Sequence, residues 1–195
     1  MEKIISSVIS NRVLELFNAS SSLPDSVFKN KEWSTRVFYN FPFFWDEKGS
    51  SLNLFLNYLR KHKSRYLFLH GDSRVKSVTD KGNGEYTSLK FATNDLTSSE
   101  YVRGIGDDPI YNLVNWYIYS ETGDWGFYAD TGLALSVFAC SPNIEPEMLV
   151  ALAQEELVSN EESLRELYSN ANVKEVYIEG LIRDFMSNYS LKSLK

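Results

Sequence analysis

The spacing of apolar positions changes along this chain, and each change marks an element. At the start, Ile4, Ile5, Val8, Ile9, Val13, Leu16 and Phe17 recur along one stripe, which predicts an amphipathic helix. Asn18, three serines and Pro24 end it. An aromatic run over 37–45 follows, and Pro42 inside it limits any strand there to an edge or an irregular extended piece. Leu52, Leu54, Phe55, Leu56, Tyr58 and Leu59 then predict a helix, opened by serine and closed by Arg60, Lys61 and Lys63. Residues 66–70 read as a short buried strand. The Lys81-Gly-Asn-Gly84 turn predicts a hairpin between 75–78 and 86–91. Residues 93–109 are polar and read as irregular.

The centre of the chain carries the strongest pattern. Residues 111–121, Trp125–Asp130 and 133–140 are strand-like and joined by very short turns, Thr122-Gly-Asp124 and Thr131-Gly132. Turns this short make antiparallel neighbours, so a three-stranded meander is expected. Beyond Pro142 the period becomes helical, with Pro146 near a helix start and Met148, Leu149, Leu152 and Leu157 on one stripe. Two more helical segments follow over 161–168 and 173–189. The expected fold is α+β: one domain over 1–195, with a mostly antiparallel sheet and helices from the N- and C-terminal segments packed on it.

Composition narrows the function. The 195 residues suit one domain, and a hydrophobic content of 43% excludes disorder over the whole chain. The net charge of −6 argues against a phosphate-backbone binder. One cysteine and two histidines exclude a disulfide framework and a His-rich metal cage. Glu2, Asn11, Arg12 and Glu15 interrupt the N-terminal apolar positions, unlike a secretory leader. No membrane span is legible, so a cytoplasmic location is expected. Cys140, at the end of an apolar stretch, reads as a small core hydrophobe.

The chemistry-bearing motifs are few. No G-x-S-x-G elbow is present, and Gly82-Asn-Gly84 and Gly104-Ile-Gly106 lack the rest of a phosphate-binding fingerprint. Asp107-Asp108 is an isolated acidic pair, read as turn residues before Pro109. His70 ends an apolar strand and, with Asp72 and Arg74, offers a small enzyme or phosphate-ligand site; the plain alternative is a histidine bonded to nearby backbone. His62 sits among cations and reads as solvated. No metal site and no cofactor are expected. The charge is uneven, with cations between Arg60 and Lys76, and acids such as Glu145, Glu147, Glu161, Glu162 and Glu166 late in the chain. Such a field favours a basic protein partner.

Alternation sorts the meander. Val114, Trp116 and Ile118 fall on one face and Tyr117, Tyr119 and Glu121 on the other; the next strand puts Trp125, Phe127 and Ala129 opposite Tyr128 and Asp130. Two readings of the tyrosine-and-acid face stand side by side. It is a docking surface whose contacts are Tyr117, Tyr119, Glu121, Asp124, Tyr128 and Asp130, or helices cover it and the hydroxyls are satisfied internally.

At these residues the chain resembles a known group. Trp116-Tyr-Ile-Tyr-Ser-Glu121, then Asp124-Trp-Gly-Phe-Tyr-Ala-Asp130 and an apolar strand, are similar to the strand–turn–strand core of immunity proteins of bacterial polymorphic-toxin and contact-dependent growth inhibition systems. The resemblance implies a small non-enzymatic cytoplasmic inhibitor that plugs a basic toxin domain with acidic groups. The alternatives are the His70, Asp72 and Arg74 site, or a structural assembly subunit.

Overall fold

The computed structural model describes residues 2–6, 10–39, 50–72, 86–106, 115–152, 157–169, 174–189 and 191. Its strands are β1 (Glu2–Ser6), β2 (Ser34–Tyr39), β3 (Tyr66–Asp72), β4 (Tyr86–Ala92), β5 (Asn115–Ser120), β6 (Trp125–Asp130), β7 (Leu135–Cys140) and β8 (Leu157–Val158). Its helices are α1 (Asn11–Leu16), α2 (Ser50–Lys61), α3 (Ser98–Gly106), α4 (Glu145–Ala151), α5 (Glu161–Tyr168) and α6 (Glu175–Asn188). The strands form one eight-stranded sheet in the order β1-β4-β3-β5-β6-β7-β2-β8, and every pairing is antiparallel. This is the α+β class read from the sequence, with the meander β5-β6-β7 at its centre.

Helices cover the sheet on both sides, which divides the interior into two cores. On one side Trp116, Ile118, Trp125, Phe127 and Phe138 lie beneath Leu52, Phe55 and Leu59 of α2, Tyr101 of α3 and Met148 of α4. Phe127 is the hub of that core, with ring centroids 4.7 Å from Phe138 and 6.2 Å from both Phe38 and Phe55. On the other side Tyr117, Tyr119, Tyr128 and Val137 pack against Val13 and Leu16 of α1, Leu164 of α5 and Ile182 and Phe185 of α6.

Three elements differ from the sequence reading. Residues 2–6 are a strand along β4 rather than the first turns of a helix, and the helix starts only at Asn11, capped by Ser10 Oγ. Adjacent β-branched residues such as Ile4 and Ile5 suit a strand as well as a helical stripe, and pairing with β4 decides between them. β4 pairs with β3 and β1; its expected hairpin partner, 75–78, lies outside the described residues. The supposedly irregular stretch holds α3. Its start is a capping box in which Thr97 Oγ1 accepts from the Glu100 amide at 3.2 Å and Glu100 Oε2 accepts from the Thr97 amide at 3.0 Å. Finally, Leu157 lies in β8 and not on a helical stripe, because Val158 and Leu157 pair with Val37 and Phe38 of β2.

One close approach sets the spacing of the second core. Gly126 of β6 faces Phe17, and a Cβ there would lie 2.7 Å from Phe17 Cζ. Gly126→Ala is expected to overpack this contact and cost about 1–3 kcal/mol. In urea unfolding, Phe17→Leu combined with Gly126→Ala will lose less stability than the two single changes added together.

Candidate binding surface

The tyrosine face predicted as a docking surface is interior. Tyr117, Tyr119 and Tyr128 are all buried in the second core, so the alternation assigned their side of the sheet correctly, but that side is covered. Phe17 lies against them, its ring centroid 4.8 Å from Tyr117 and 6.3 Å from Tyr119. The hydroxyls are served internally: Tyr119 Oη donates to Ser10 Oγ at 3.4 Å, and Tyr128 Oη accepts from Asn115 Nδ2 at 3.0 Å. These tyrosines are packing residues, and the expectation of a partner-facing tyrosine surface is corrected accordingly.

The three acids of that set hold the strand ends. Asp130, also buried, accepts the amides of Gly132 and Leu133 through Oδ1 at 3.0 and 3.1 Å, and Asn115 Nδ2 through Oδ2 at 3.3 Å. Asp124 accepts from Thr122 Oγ1 beside Gly123, whose φ of +68° needs a glycine. Glu121 accepts the Arg65 amide, the Tyr66 amide at 2.9 Å and Ser64 Oγ at 3.4 Å, fastening the start of β3 to the end of β5. Burial pushes its carboxyl up, but the amides of Arg65 and Tyr66 and the Ser64 hydroxyl outweigh that and hold it below the usual carboxylate range.

His70 is 1% exposed in β3, with Nδ1 2.5 Å from Ser88 Oγ. The Asp72 side chain and Arg74 lie outside the described residues, as do Asp107 and Asp108. Cys140 is buried, and burial pushes its thiol up to about 12, as suits a core position. Part of the basic stretch is structural: Arg60 donates to the carbonyls of Thr93 and Leu96, while Lys61 and His62 both reach Glu147 on α4. His62 is also stacked on Tyr58, with centroids 4.4 Å apart.

The clefts and exposed apolar residues lie beside β2 and β8 and on the late helices. A groove of about 530 Å³ runs along β2 and β8, walled by Trp33, Thr35, Arg36, Glu145, Tyr189 and Leu191. Glu145 ties the start of α4 to β2, accepting from Ser34 Oγ at 2.7 Å and pairing with Arg36. Leu191 also lines a second cleft of about 460 Å³ between α5 and α6. There Arg165 is gripped by Glu161 and Glu179, and its hydrogen bond keeps the Glu179 carboxyl below the usual range. Glu162, Glu166 and Glu175 are exposed on the same helices. At the first turn of α6, Val176 and Tyr177 are 71% and 67% exposed, with Val150 the most exposed large hydrophobics among the described residues.

No family model, no curated protein and no solved structure matches this chain. Its site is therefore read from its own residues. Sequence reasoning passed over Val176 and Tyr177, although a signal was present. Ile178, Leu181, Ile182 and Phe185 form the inward stripe of α6, and Val176 lies on the opposite side of the helical wheel. An apolar residue there has no core to enter.

The Glu121 clasp gives a pH signature. Its folded carboxyl titrates below the ordinary value of 4.5, so its contribution is complete above that value and is lost as pH falls through the lower folded value. Urea unfolding from pH 7 to pH 3 is expected to show wild type more stable than Glu121→Gln near neutrality, with the gap closing below about pH 4.5.

Proposed function

We propose that this chain is a non-enzymatic binding protein, an immunity-type inhibitor that neutralises a cognate bacterial toxin domain in the cytoplasm by covering its basic surface. The observation that carries this reading is the pair of helices α5 and α6, on which Glu162, Glu166 and Glu175 are exposed and Val176 and Tyr177 project at the first turn of α6. Carboxylates and an apolar anchor suit two stages of docking. The acidic field steers a basic partner and raises the rate of encounter. The aromatic anchor, once desolvated in a pocket on the partner, slows release. The net charge of −6 gives the long-range attraction the same sign as the local one. The central meander, through its resemblance to immunity proteins, supports the same class.

The test is to co-express the chain with any toxin domain found encoded next to its gene, read as cell survival and as a complex on size-exclusion chromatography. Protection with a stoichiometric complex is the expected outcome; loss of growth with no complex overturns the reading. Within the complex, Tyr177→Ala is expected to cost about 2 kcal/mol, roughly a thirtyfold rise in Kd, mostly through faster dissociation. Glu162→Lys with Glu166→Lys is expected to slow association about tenfold at low salt and far less at high salt, with the melting temperature little changed.

A further inference from the structure

A cleft of about 230 Å³ lies between the end of β4 and α3, and its described lining falls within the unbroken run 91–104. Phe91 and Leu96, 1% and 6% exposed, are its apolar part. Asp95, Glu100 and Arg103 also line it, and all three are exposed. The cleft thus joins a buried hydrophobic lining to charges of both signs that reach solvent.

The walls are fastened from several directions. Arg60 Nε donates to the Thr93 carbonyl at 2.9 Å and its Nη2 to the Leu96 carbonyl at 2.5 Å. The Thr93 amide donates to the Arg65 carbonyl at 3.0 Å. Leu96 and Tyr101 stand on either side of the Thr97 cap at the spacing of a hydrophobic staple, and both are buried in the first core. Glu100 and Arg103, three residues apart on α3, share a helix face. A cleft set by so many contacts is formed before a ligand arrives, which lowers the ordering cost of binding.

We propose that this cleft binds a small zwitterion with an apolar side chain, of the class of an aliphatic α-amino acid such as leucine. Size, charge and polarity each narrow the choice. Pockets for drug-sized ligands run roughly 300–1,000 Å³, so this smaller one suits a single amino acid better than a nucleotide. A ligand of one sign only would meet a like charge beside the opposite one. In a zwitterion the carboxylate accepts from the Arg103 guanidinium, a fork suited to it, while the ammonium donates to Asp95. Glu100, whose Oε2 accepts from the Thr97 amide and hydroxyl, adds to the negative side. The aliphatic side chain gains by leaving water against Phe91 and Leu96. Exposed ion pairs contribute little singly, so a Kd on the order of 1 mM is expected. α3 covers the first core and α5 and α6 the second, so this ligand and the protein partner proposed above bind on opposite sides of the sheet.

The experiment titrates the isotope-labelled full-length chain by NMR with L-leucine, with 4-methylpentanoate, which lacks the ammonium, and with leucine amide, which lacks the carboxylate. Expected are saturable leucine shifts concentrated on 91–104, and affinity about fivefold weaker for either analogue. Arg103→Gln and Asp95→Asn are each expected to weaken leucine binding about threefold to fivefold with the melting temperature unchanged. Shifts that fail to saturate below about 50 mM, or that centre outside 91–104, overturn the proposal. Analogues that bind as tightly as leucine also overturn it, as does leucine affinity unchanged in both variants. Should a variant lose stability, the analogues on the wild-type chain decide. Leucine binding without toxin protection upholds this inference and overturns the proposed function; protection without leucine binding does the reverse.

Discussion

The structure depends on burying three consecutive strands on both faces. Every residue of β5, β6 and β7 is buried. A sheet covered on both sides must fill both parities with side chains that tolerate the interior, and any polar atom among them needs an internal partner. That requirement explains the aromatic density of the meander. It also explains the Asn115, Tyr128 and Asp130 network and the placing of acids at strand ends, where they accept main-chain amides. Helices on both sides of the sheet are then obligatory, with α2, α3 and α4 covering one face and α1, α5 and α6 the other.

The same requirement explains which features could be read in advance. The meander, α2, α5 and α6 were legible because short turns and helical stripes are local signals. α3 was equally local in principle: Thr97 and Glu100 stand at capping-box spacing, but the surrounding polar residues and glycines masked it. β1 and β8 were not legible, since a few β-branched or apolar residues become a strand only if an edge is waiting for them, and those edges belong to β4 and β2. Strand parity placed Tyr117, Tyr119 and Tyr128 on the correct face. What parity cannot report is whether distant segments cover that face, and here Phe17, Leu164 and Phe185 do. Tyrosine suits either fate, with a ring for the core and a hydroxyl that finds an internal partner.

With both faces of the meander occupied, the exposed features lie at the periphery. Among the described residues a groove lies along β2 and β8, and the late helices expose Glu162, Glu166, Glu175, Val176 and Tyr177. Leu191 lines both the edge groove and the α5–α6 cleft, so the two are neighbours on one side of the molecule. Arg165, pinned between Glu161 and Glu179, fixes that helix pair.

The strand order also governs the order of events during synthesis. β2 leaves the ribosome early, yet its full-length neighbour β7 lies about a hundred residues further along the chain, and β8 later still. Val37, Phe38 and Tyr39 must therefore stay unpaired while most of the protein is made. Contacts of such separation form slowly, and an apolar strand left waiting is vulnerable to association with other nascent chains. Folding of this molecule is thus tied to completion of its own translation, and its early aromatic segment is where a chaperone has the longest opportunity to act.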